Sequence, residues 1–158
     1  MTSIADLKPT LKSVTRALGL DLSPDALLEG KPFTVNGQTF SLQQPPGDGV
    51  TGMIVVRSEL GDVPEAKRLQ VYEMLLRSNA LSAGACSPVA GMQLDGLGLV
   101  MDMPLPIAAL DADMLYGVLD RMASSAEIWK ATQGFTQALD GTAMVPPPPL
   151  PASGRPAH

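Results

Sequence analysis

Two turn pairs, Asn36-Gly37 and Asp95-Gly96, each stand between apolar runs of strand length. Asn-Gly and Asp-Gly readily supply the positive φ angles of a two-residue hairpin turn, so each pair predicts two adjacent antiparallel strands. The first hairpin takes Phe33–Val35 and Gln38–Leu42; the second takes a strand ending at Leu94 and another from Leu97 to Met103, stopped by Pro104. A short β-branched stretch, Met53–Arg57, adds a third strand between them.

Helical spacing fills the remainder. Ile4, Leu7, Leu11, Val14 and Leu18 recur every three or four residues, with Lys8, Lys12 and Arg16 as a solvated basic stripe on another face. Pro9 requires this helix to start near it or to kink there. A second helix is predicted from Pro64 to about Asn79, opened by a capping-box pair, Asp62 and Glu65, with Leu69, Tyr72, Leu75 and Leu76 as its apolar face, widened by Val71. Asp111 caps a third helix whose inward residues are Leu115, Val118 or Leu119, Met122, Ala126 and Trp129. The order α-β-β-β-α-β-β-α, with hairpins segregated from helices, predicts an α+β fold: an antiparallel sheet with three helices packed on it.

The domain is expected to span residues 1–140; residues 141–158, with the run VPPPPLP, cannot build a core and read as a polyproline-biased tail. Charged residues are only 17% of the 158, against about 25% in an average chain, which suggests apolar surface left for a partner. A net charge of −5 disfavours nucleic acid and anionic membranes, leaving a polypeptide or a small molecule. Cys86 is the one cysteine, so a reducing compartment is expected, and neither a secretory signal nor a membrane-spanning run is visible. The expected location is the cytoplasm.

Little catalytic chemistry is on offer. The single histidine, His158, is the last residue, which removes histidine-based triads and dyads. Cys86 has no basic neighbour in sequence and reads as a small apolar residue rather than a nucleophile. Asp111 and Asp113 are explained by helix capping, and no phosphate loop, dinucleotide fingerprint or zinc spacing occurs. No cofactor or metal is predicted, and an enzyme using Cys86 or carboxylates stays as the weakest reading. The methionines fall on predicted elements as core filling, while Leu97, Leu99, Met101 and Met103 share one strand face that needs a core or a partner over it.

Several pieces in series resemble a family. LLRSNAL, Leu75–Leu81, is similar to the Leu-Leu-x-x-Asn helix ending of the bacterial type III secretion chaperones of the Tir-chaperone class. It is followed by a small-residue loop, the hairpin GMQLDGLGLVMDMPL, and LDADMLYGVL opening the last helix. The departures are Pro9 in the first helix, Pro88 before the fourth strand and the proline tail. The resemblance implies a cytoplasmic homodimer that binds the N-terminal segment of a secreted effector and keeps it non-globular, with the secretion ATPase as a further partner and no reaction. By position, Ile4, Leu7, Leu11, Val14, Phe33, Val35 and Phe40 are then effector-facing, and Leu69, Tyr72, Leu76, Leu97, Leu99 and Met101 form the dimer interface. For each of them burial within the monomer is the alternative. A regulatory module of the same fold without a secreted client is the alternative function.

Overall fold

The computed structural model describes residues 4–45, 52–82, 88–93 and 98–131. The Cys86 loop, Leu97, the Asp95-Gly96 turn and the proline tail lie outside these residues. Helix α1 (Lys8–Leu18) follows a single 3-10 turn, Ile4–Leu7. Pro9 occupies its first turn, where a missing N–H costs nothing, so there is no kink. Gly19 ends the helix at φ +64, and the Leu20 N–H reaches back to the Thr15 carbonyl at 2.9 Å.

A short helix that the sequence reading did not anticipate comes next: α2 (Pro24–Leu28), capped by the Ser23 hydroxyl, which accepts from the Ala26 N–H at 3.1 Å. Strands β1 (Phe33–Val35) and β2 (Gln38–Gln43) form the predicted hairpin, with Asn36 and Gly37 at φ +50 and +76. Strand β3 runs from Met53 to Asp62, five residues beyond expectation. A bulge between Glu59 and Gly61, with Gly61 at φ +92, lets the strand continue to Asp62, while plain alternation after Val56 and Ser58 keeps Leu60 on the core face. Asp62 is therefore the end of a strand and not a helix cap. A 3-10 turn (Glu65–Lys67) precedes α3 (Arg68–Ser82).

Strands β4 (Val89–Met92) and β5 (Gly98–Pro106) pair antiparallel, and α4 (Ala112–Ala131) closes the fold behind its Asp111 cap, whose carboxylate accepts from the Met114 N–H at 2.7 Å. Pro104 does not stop β5: Pro104 pairs with Val55 and Pro106 with Met53. The physical reason is alternation. The Gln93 N–H donates to the Gly98 carbonyl, which sets Gly98, Val100 and Asp102 bonding toward β4; Pro104 and Pro106 point the same way, past the end of β4, where no ladder bond is missed.

The sheet order is β1-β2-β3-β5-β4. One face carries the core. Phe40, Leu42, Ile54, Val56, Leu105 and Leu99 are almost fully covered beneath Leu7, Leu11 and Val14 of α1 and Leu115, Val118, Leu119, Met122 and Ala126 of α4. The alternating burial of β2 and β3 is the period-two pattern of a sheet with helices on one side. The other face holds the half-buried Thr39, Ser41, Gln43, Met53, Val55, Arg57 and Asp102, and the fully buried Val100 of β5.

Candidate protein-binding surfaces

The residues assigned to a client from sequence are placed mainly inside the protomer. Leu7, Leu11, Val14, Phe33, Val35 and Phe40 are all buried, and Ile4 packs partly covered against the same core. The Phe33 and Phe40 rings stack with centroids 5.9 Å apart. Their burial has a simple cause: α1 packs against α2 and α4, and β1 and β2 lie under α4, so these side chains all fall within one core. Leu99 and Met101 are likewise core residues, because β5 is an interior strand whose inner face lies under the helices.

Helix α3 behaves differently. Leu69 and Leu76 are 84% and 70% exposed, and Tyr72 is half-buried beside them, whereas Val71 and Leu75 are buried. Leu69, Tyr72 and Leu76 are spaced i, i+3, i+7 and so share a stripe; Val71 and Leu75, spaced i, i+4, form a second stripe on another face. Reading the two stripes as one apolar face hid the difference. Tyr72, Leu75, Leu76 and Asn79 line a cleft of about 360 Å³ with Ala90, Gly91 and Met92 of β4. Val89 and Met92, not singled out from sequence, are 49% and 46% exposed and extend the apolar surface onto the strand. Their signal in sequence is a short strand with little apolar alternation, starting just after Pro88.

Asn79 joins the two elements. Its side-chain amide donates to the Ala90 carbonyl at 2.7 Å, and its carbonyl accepts from the Ala90 N–H at 3.1 Å. On the open sheet face, Arg57 makes a bidentate pair with Asp102 directly across the β3–β5 register, at 2.8 and 2.7 Å. The hydrogen bond and the charge of Asp102 raise the Arg57 pKa against the opposing effect of burial. Beneath α4, Lys130 donates to the Gln38 side-chain carbonyl at 2.6 Å, while the Gln38 amide donates to the Ser58 hydroxyl at 2.9 Å and to the Glu59 carbonyl. Gln38 and Ser58 are buried, and no buried side-chain polar atom among the described residues lacks a partner.

No cluster of metal-ligating side chains occurs among the described residues, and no described helix is long and apolar enough to cross a membrane. Asp111 and Asp113 stand at the start of α4, as capping requires.

No individually curated protein sequence matches this chain. Among solved structures, the chain is similar in fold to one in the HopA1–SchA chaperone–effector complex, with TM-score 0.60, 12% identity, and 83% of this chain and 99% of the other covered. It is also similar to one in the complex of the Yersinia pestis type III secretion chaperone SycH with a stable fragment of YscM2, with TM-score 0.54, 18% identity, and 77% and 98% covered. The family model of the Tir chaperone proteins (CesT) matches residues 10–130. That span runs from the first turn of α1 almost to the end of α4, and the chain belongs to the Tir chaperone protein (CesT) family.

Proposed function

We propose that this protein is a cytoplasmic chaperone of a type III secretion system, which binds the N-terminal segment of a secreted effector and keeps it extended and competent for export. The observation that carries the proposal is the family membership across α1 to α4. The similarity in fold to SchA and SycH supports it, since both are seen in complexes with protein partners.

The physics of the surface agrees. A one-sided sheet offers an extended chain a half-buried apolar floor, Met53 and Val55 beside the exposed Pro104 and Pro106. At the β1 edge, Thr34 directs its main-chain groups away from β2, because Val35 and Phe33 bond inward across the tight turn. A client strand adding there gains main-chain hydrogen bonds, with specificity supplied by its side chains on the floor. In this reading Leu7, Leu11, Val14, Phe33, Val35 and Phe40 act from beneath, by fixing the shape of the α1–β1 side, and Ile4 lies at its rim.

Leu69, Tyr72 and Leu76, extended by Val89 and Met92, are proposed to bury against a second copy of the chain. An apolar cluster this exposed is unusual on a lone protomer. Binding carries no chemical step, so no catalytic activity is proposed, and the secretion ATPase is the expected receiver of the loaded chaperone.

The test is recovery of the tagged protein from its own bacterium with secretion switched on, mass spectrometry of what remains bound, and limited proteolysis of the complex. A secreted protein protected only near its N-terminus is the expected result. Recovery of a transcriptional regulator without any secreted protein would replace the chaperone reading with a regulatory module of the same fold.

A further inference from the structure

The two edges of the sheet are not equivalent. At the β4 edge, the ladder alternation that turns Val89 and Gly91 toward β5 turns Pro88, Ala90 and Met92 outward. Proline has no N–H to offer at the first of these positions. At the second, both main-chain groups of Ala90 are already taken by the Asn79 side chain, at 2.7 and 3.1 Å. A carboxamide carries one donor group and one acceptor on the same planar unit as a peptide bond, so Asn79 satisfies Ala90 as a neighbouring strand would. Farther along the same side, Pro104 and Pro106 remove two further donors from the stretch of β5 that β4 does not cover. At the β1 edge no described side chain occupies the outward groups of Thr34.

We infer that Asn79 is a strand surrogate that closes the middle of the β4 edge, so that an incoming extended chain, or another copy of the sheet, meets no run of consecutive outward residues there: Pro88 lacks the donor, Ala90 is taken and only Met92 is left. Unprotected edges invite sheet-to-sheet association, and a protein whose task is to hold extended segments is especially open to it. The inference rests on the chaperone reading only for the identity of the incoming chain.

The test needs no client. Amide exchange at Ala90, followed by NMR on the full chain, is slow in the wild type although β4 is an edge strand. In Asn79→Ala it accelerates roughly tenfold, the scale of one lost main-chain hydrogen bond, while Gly91 changes little. Light scattering across a concentration series then shows assemblies larger than the wild type. Adding Ala90→Pro, which deletes the freed donor without touching the β4–β5 ladder, returns the wild-type mass. A residue that merely tethers α3 would not be rescued this way. Unchanged exchange at Ala90, or assembly that persists in the double variant, overturns the inference. If Asn79→Ala does not fold, Asn79→Leu, which keeps the side-chain size but loses both bonds to the Ala90 main chain, takes its place: faster Ala90 exchange and Pro-reversible assembly are again expected, and the absence of either overturns the inference. A client missing from pull-downs while Ala90 exchange behaves as stated counts against the chaperone reading alone.

Discussion

Helices α3 and α4 contain similar aliphatic side chains and use them in opposite ways. In α4, Leu115, Val118, Leu119, Met122, Ala123 and Ala126 form one buried stripe, while Leu69 and Leu76 of α3 stand in solvent beside a buried pair, Val71 and Leu75. The difference teaches that apolar content measures the surface a helix must cover, and not which molecule covers it. Helix α4 is held by its own protomer; α3 is only half held.

Identical charges introduced into the two kinds of leucine should break the comparison most sharply. Leu7→Asp puts an unpaired carboxylate where 1% of the side chain is accessible, and should destabilise the protomer by more than about 4 kcal/mol, seen as loss of the cooperative thermal transition. Leu119→Ala, in the fully buried stripe of α4, should lower stability by about 2–5 kcal/mol in denaturant titration. Arg57→Met leaves Asp102 facing an apolar side chain on the open sheet face, with an expected loss of roughly 1 kcal/mol. Because Asp102 raises the Arg57 pKa, the stabilisation linked to Arg57 is fully present at neutral pH and is lost as pH rises through the raised value; a loss of this stabilisation at neutral pH would contradict it. Leu76→Asp should change protomer stability least, within about 0.5 kcal/mol, yet abolish self-association in light scattering. If Leu76→Asp unfolds the chain as Leu7→Asp does, α3 is not the half-held helix described.

The sheet was largely legible beforehand because its turns are written in residue types with few alternatives: Asn36-Gly37 adopts the positive φ pair that the hairpin needs, and Asp111 caps α4 as its position suggests. Strand ends were harder. Pro104 reads as a stop unless it is known that β4 has already ended beside it, and Asp62 reads as a cap unless the bulge at Gly61 is foreseen. Both depend on neighbours far along the chain. The surfaces were least legible, since periodicity gives the face of a helix but not what lies over it; Leu11 and Leu76 have the same local pattern and opposite surroundings. Asn79 was visible only as the end of a leucine-rich helix, because its partner, Ala90, is a residue type that carries no signal.

The placement of β5 between β3 and β4 also sets an order of events during synthesis. Strand β3 leaves the ribosome with β2 for a neighbour, but its other partner is made some 45 residues later, the separation of Arg57 and Asp102. Until then Ile54, Val56 and Leu60 have half a sheet beneath them and no α4 above. At about 5–20 residues per second that interval lasts several seconds, far longer than a hairpin needs to form. The nascent chain therefore waits with an open central strand, and a protein that shelters unfinished segments of others passes through such a state itself.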